Sequence, residues 1–168
     1  MILYGIQDAP PKALLSYVLR REMGIARLPE LARTEQGRPY FPALPQVRFN
    51  WSHSERYVLC ALSARPVGAD IEVVRSRRNT LPTYAFTDAE QAEYHALGGD
   101  WPAFYTLWTR KEAWCKYTGE GLARLWGQTP PRTGLHFGSY AGADWRAAVC
   151  GEEPPPDRIL WVDREALT

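Results

Sequence analysis

Val47-Arg-Phe-Asn-Trp-Ser-His-Ser-Glu-Arg-Tyr-Val-Leu-Cys-Ala-Leu-Ser-Ala-Arg-Pro-Val-Gly-Ala-Asp-Ile-Glu-Val73 contains three strand-like runs, Val47–Trp51, Tyr57–Ser63 and Val67–Val73. Each is dominated by β-branched, aromatic and aliphatic side chains, and only Ser54-Glu55-Arg56 and Ala64-Arg65-Pro66 separate them. Connections that short predict an antiparallel meander. The third run carries acids where an apolar residue is expected. Successive strand side chains alternate faces, so Asp70 and Glu72 project together while Ala69, Ile71 and Val73 pack the other way. At the strand rise their Cβ atoms lie about 6.5–7 Å apart, within common reach of one ion.

Outward from this core, Met1–Ile6 reads as a short strand, and Leu14, Leu15, Val18 and Leu19 stripe a helix from Lys12 to about Met23. Residues 24–45 are rich in Pro, Gly and charge and read as loop. Thr87-Asp-Ala-Glu90 is a capping box opening a helix to about Leu97, stopped by Gly98-Gly99. Asp100-Trp-Pro102 starts a longer helix to about Thr118, ended by Gly119. Weaker strand signals follow at Gly134–Gly138, Asp144–Cys150 and Arg158–Val162. Strand–helix–strands, loosely repeated, predicts an α+β protein of two similar lobes.

The long helix contains Trp108-Thr-Arg-Lys-Glu-Ala-Trp-Cys-Lys116, with Trp108, Glu112 and Lys116 on one stripe and Lys111 beside it. A Glu–Lys pair at i, i+4 is commonly a surface pair, contributing about 0.2–0.5 kcal/mol. The surrounding Phe104, Leu107, Trp108 and Trp114 instead imply a packed helix, on which a carboxylate and an ammonium need partners. Carboxylates are the preferred ligands of a hard divalent cation, and an ammonium suits an anionic substrate. These residues point to magnesium-dependent chemistry at a phosphate. Phe49-Asn-Trp-Ser-His-Ser54 adds a hydroxyl and a ring nitrogen at a strand end, able to grip a phosphate.

The 168 residues fit one domain or two small lobes sharing a core. Hydrophobic residues make up 45% and aromatics 12%, which excludes general disorder. A net charge of +1 excludes a strongly basic nucleic-acid binder by bulk charge. The N-terminus lacks the charged start and long apolar run of a secretory signal, and no stretch approaches the roughly 20 apolar residues of a membrane span. Cys60, Cys115 and Cys150 form no Cys-x-x-Cys pair and read as reduced, buried thiols of a cytoplasmic protein; position alone supports the alternative of a Cys115 nucleophile. Trp101, Trp108, Trp114 and Trp126 read as core. Arg75, Arg77 and Arg78 are either a solvated loop or a basic docking surface.

Four motifs in order, Gly37-Arg-Pro-Tyr-Phe-Pro42, Phe49–Ser54, Val67–Glu72 and Trp108–Lys116, with Gly119-Glu-Gly-Leu122 behind them, resemble the 4′-phosphopantetheinyl transferases of the surfactin-synthetase-activating type. The resemblance covers about residues 1–137 and implies a pseudo-symmetric two-lobe α+β fold. Residues 1–66 would form a shortened N-terminal lobe and 67–168 a C-terminal lobe, with the site in the cleft between them. It implies transfer of the phosphopantetheine arm of coenzyme A to a serine of an apo acyl or peptidyl carrier protein, releasing adenosine 3′,5′-bisphosphate. Asp70, Glu72 and Glu112 match the magnesium ligands, Glu112 also the base for the serine, and His53 and Lys116 assist catalysis at the phosphates. Arg38, Pro39, Ser52, His53, Lys111, Lys116 and Lys12 match coenzyme A contacts. The family's two-lobe members imply a monomer, with no nucleic-acid or membrane partner.

The resemblance thins at the N-terminus, where basic residues that hold the 3′-phosphate of coenzyme A are missing. Ala13 stands where a hydroxyl is common, and Glu120 lies in a loop that is often basic. A non-catalytic relative that binds coenzyme A or a carrier is therefore the competing reading. A different magnesium-dependent phosphate-cleaving enzyme is a third.

Overall fold

A computed structural model describes residues 1–78 and 81–167. Of the basic loop Arg75-Ser-Arg-Arg-Asn79, the last residue lies outside the described residues. The elements run β1 (Ile2–Gln7), α1 (Pro11–Met23), β2 (Ala32–Arg33), β3 (Pro39–Tyr40), β4 (Arg48–Ser54), β5 (Tyr57–Ser63) and β6 (Val67–Val73). Then come α2 (Leu81–Ala85), α3 (Asp88–Ala96), α4 (Trp101–Thr118), α5 (Leu122–Leu125), β7 (His136–Ala141), β8 (Trp145–Gly151), β9 (Leu160–Trp161) and a short 3₁₀ turn at Arg164–Leu167. The architecture is α+β with largely antiparallel sheets.

One sheet has the order β4-β5-β1-β9, with β9 parallel to β1 and the other pairs antiparallel. A second has the order β6-β8-β7, all antiparallel, and β2 pairs β3 within the long loop. Strands from both sides of the expected division at residue 66 thus share the first sheet, because β9 returns from the far end of the chain.

The expected meander breaks at Pro66. Both edges of β5 are occupied, one by β4 and the other by β1, so the run from Val67 has no free edge to join. It pairs β8 instead, and Val67, Ala69 and Ile71 pack with Leu3, Leu59 and Ala61 to form the core between the two sheets. On the far side of the first sheet, Leu14, Leu15, Val18 and Leu19 of α1 close a core against Tyr4, Ile6, Phe49 and Val58.

Local chemistry sets the helix ends. Glu90 accepts from the Thr87 backbone N–H (2.9 Å) while the Thr87 hydroxyl accepts from the Glu90 N–H (3.3 Å), the reciprocal capping box. Asp100 caps α4 by accepting from the Ala103 N–H (2.8 Å), and Gly119 ends it in the left-handed region at φ 75°. Of the four tryptophans expected in the core, Trp114 is buried but Trp126, just after the single turn of α5, is exposed. That turn is too short to cover it.

Candidate active site

Three elements meet at Asp70. β6 carries it into the interior, where it is 2% exposed. From β4, the Ser52 hydroxyl donates to Asp70 Oδ1 (2.8 Å), and from α4 the Lys116 ammonium donates to the same oxygen (2.7 Å) and to Ser52 Oγ (2.8 Å). The second carboxylate oxygen, Asp70 Oδ2, is buried without a hydrogen-bond partner among the described residues. An unmatched buried carboxylate oxygen is costly unless something else compensates it.

Glu72, two residues on, accepts from the Ser54 hydroxyl (2.8 Å). Its carboxyl is held above the ordinary range, first by burial and then by the charge of Asp70, while Ser54, Lys116 and Arg77 pull the other way. Glu112 on α4 is pushed up to about 7, by burial first and the Asp70 charge second; Lys116 partly offsets both, and Glu72 adds a smaller push upward. Three carboxylates therefore feel one another across the site, with one ammonium to moderate them. Among the described residues no three His, Cys, Asp or Glu side chains are gathered closely enough to hold one ion as they stand. Lys116, seated on Asp70, supplies the local positive charge.

A cavity of about 270 Å³ opens onto this cluster, lined among others by Arg38, Pro39, Trp51, Glu112, Cys115 and Lys116. Arg38 reaches across from the loop side and donates to the backbone carbonyls of Tyr117 (3.2 Å) and Val67 (3.3 Å). The cleft is thus lined by the Glu112 carboxyl, the Lys116 ammonium and the Arg38 guanidinium, with Asp70 buried behind Lys116. That arrangement can bind an anion with several phosphate oxygens and accept a proton from a nucleophile beside it.

A family model described as the 4′-phosphopantetheinyl transferase superfamily matches residues 66–150, the segment holding all three acids and Lys116. The 4′-phosphopantetheinyl transferase AcpT of Escherichia coli O157:H7 is 40% identical over 161 residues, covering 90% of this chain and 80% of that protein. The chain belongs to the 4′-phosphopantetheinyl transferase superfamily. The 4′-phosphopantetheinyl transferase Sfp of Bacillus subtilis (strain 168) is 37% identical over 129 residues, 71% of this chain and 57% of that protein. A further Bacillus subtilis 4′-phosphopantetheinyl transferase is 38% identical over 91 residues, 53% of this chain and 41% of that protein. The chain spans about half the length of these two Bacillus transferases.

Not every residue picked out by the transferase resemblance is brought into the cleft. Lys111 faces away from it. Its ammonium is fully buried, donating to Glu90 Oε2 (2.8 Å) and to the Ala85 carbonyl (3.3 Å). It follows that Lys111 ties α4 to α3 and has no freedom to contact a phosphate. Replacing it by Met leaves the Glu90 carboxylate buried and uncompensated, an expected loss of about 3–5 kcal/mol in urea unfolding. Adding Glu90→Gln, which keeps the cap acceptor without the charge, should recover most of that loss.

His53 follows Ser52, so strand alternation turns it to the other side of β4, where it is exposed. Lys12 is exposed in the first turn of α1 and is not among the residues lining the cavity. Cys115 does line it, but burial, followed by the charge of Glu112, pushes its thiol up to about 11. A group so strongly protonated is a poor nucleophile, which removes the basis for a Cys115 reaction.

Two residues beside the candidate site are not singled out by the sequence reading. Ser54 fixes Glu72 and also accepts from the Val73 N–H (3.2 Å), and Asn50 accepts from the Ala69 N–H (3.1 Å). The alternation that places Asp70 and Glu72 on one face applies equally to Asn50, Ser52 and Ser54. Three polar side chains at period two on a largely buried strand are the available signal.

Proposed function

We propose that this chain transfers the 4′-phosphopantetheine group of coenzyme A to a serine of an apo acyl or peptidyl carrier protein, releasing adenosine 3′,5′-bisphosphate. The observation that carries the proposal is the clustering of Asp70, Glu72, Glu112 and Lys116 beside one cleft, which Glu112 and Lys116 line, within a chain of this family. Glu112 takes the proton of the serine hydroxyl, and a carboxyl pushed up to about 7 is well matched to that task near neutral pH. The serine oxygen then bonds to the β-phosphorus as the phosphoanhydride bond breaks, and the electron pair departs with the adenosine bisphosphate. Lys116 holds charge on the phosphate oxygens, with Ser52 orienting the ammonium.

The donor set fits a hard divalent cation: three mutually repelling carboxylates, one with a buried oxygen that nothing in the described residues matches. Asp70, Glu72 and Glu112 would hold Mg²⁺, which when bound neutralises charge on the diphosphate. Arg38, Pro39 and Ser52 line or support the coenzyme A side of the cleft, with His53 and Lys12 at more distant contacts. In this reading residues 1–66 and 67–168 act as two lobes of a cytoplasmic monomer. No helix among the described residues is long and apolar enough to cross a membrane.

A second reading, a relative that binds coenzyme A or a carrier without transfer, draws on the absence of a closed three-acid cluster among the described residues. Mass spectrometry separates the two. Incubated with apo carrier protein, coenzyme A and Mg²⁺, the chain should add one phosphopantetheine to the carrier. An unchanged mass across fatty-acid, polyketide and peptide carriers, with coenzyme A binding intact, would establish the second reading.

A further inference from the structure

Beyond the catalytic cleft lies a second cavity, about 320 Å³, lined by Thr34, Arg38, Pro39, Tyr40, Arg48 and Phe49 among others. It shares Arg38 and Pro39 with the first cavity, so one elongated ligand can occupy both. Arg48 begins β4 on the face that carries Asn50 and Ser52, which puts its guanidinium at the end of the row leading away from Asp70. Its charge is felt by Arg38, whose proton affinity is lowered by burial first and by the Arg48 charge second. Neither guanidinium has a carboxylate within ion-pairing distance among the described residues, whereas Arg56, Arg75 and Arg110 all do. Two like charges held at one concave site without a counterion form a place for an anion.

We infer that Arg48, acting beside Arg38, is a specificity-determining residue that binds the phosphate monoester on the ribose of coenzyme A. This rests on the proposed function, because that nucleotide carries the two separated anionic groups the paired cavities require. The diphosphate sits near Lys116 and the monoester sits away from it. Arg48 supplies the positive charge for that monoester from the start of β4. Pro39 lines both cavities, and the exposed Tyr40 lines the second.

Titration calorimetry of the full chain with coenzyme A and with dephospho-coenzyme A, which lacks only the monoester, tests this. The wild type should bind coenzyme A about tenfold or more tightly than the dephospho form, as one charge-assisted contact to a phosphate supplies. Arg48→Ala should reduce that ratio to about two or less, and Arg48→Lys should restore part of it. Arg48 is exposed, so its truncation leaves the core alone; matching circular dichroism spectra establish that. An unchanged ratio in Arg48→Ala overturns the inference while leaving the proposed function standing, as does a wild type that binds both forms equally. A wild type that binds neither form overturns both.

Discussion

Gly68→Ala is expected to cost about 3 kcal/mol or more and to displace α4 from the acids of β6. A Cβ built on Gly68 falls 2.0 Å from the Ala113 carbonyl oxygen and 2.4 Å from the Tyr117 nitrogen, both backbone atoms of α4. A flexible side chain can swing aside from such an overlap; a helix backbone flanked by packed Ala113, Trp114 and Cys115 cannot. Overpacking a dense interior ordinarily costs about 1–3 kcal/mol, and a clash against main chain belongs at or beyond the top of that range. Shifting α4 also moves Lys116, whose 2.7 Å contact with Asp70 depends on this close approach. Urea unfolding of the variant reads the first effect and carrier modification the second. A variant with wild-type stability would show that strand and helix separate easily here, and the proposed tight registration of the site would be wrong.

That contact explains which parts of the molecule were legible in the sequence. The three longer helices, α1, α3 and α4, were, because their signals are local, whereas the single turns α2 and α5 carry no such signal and were not expected. The Thr87 capping box, the Asp100 cap, Pro102 and Gly119 each act within a few residues of the end they define. The longer strands were legible for the same reason, though the two-residue pair β2 and β3 lies inside the stretch read as loop, and the alternation placing Asp70 and Glu72 together needs only the strand period. Sheet membership was not. Whether Val67–Val73 joins β5 depends on whether β1 has already taken that edge, a competition between segments far apart in sequence.

The site divides along the same line. Asp70, Glu72, Glu112 and Lys116, each placed by the period of its own element, are picked out by spacing alone, and the fold brings them near one another. Lys111 was misplaced because neighbouring residues on a helix point about 100° apart, and only the position of α3 reveals that Glu90 waits on that side. Period-two polarity on a buried strand marks Ser54 and Asn50, but what each of them bonds follows only from the strand packed against theirs. Gly68 likewise carries no side-chain signal, and its importance lies wholly in what approaches it.

Glu112→Gln should lower transfer by about 10²–10⁴-fold, the usual contribution of a positioned general base, while making the metal-free protein more stable. The two effects have one source. Folding pushes this carboxyl from 4.5 up to about 7, with burial as the leading cause and the Asp70 charge next. Between those values the folded chain keeps a proton that the unfolded chain has released. Stability therefore falls as pH rises through that window and stays lowered above about 7. A neutral amide removes the loss without changing the shape. At pH 8 in chelator the gain is expected on the order of 2 kcal/mol, or about 4–8 °C in Tm, shrinking towards zero near pH 4. Magnesium should reverse the order, since the wild type alone offers the third carboxylate. Thermal unfolding at the two pH values, with and without Mg²⁺, distinguishes this from a simple loss of a surface charge. A variant no more stable than wild type at pH 8 would mean that Glu112 is not held against its neighbours' charges, and the case for its role as metal ligand and base would fall with it.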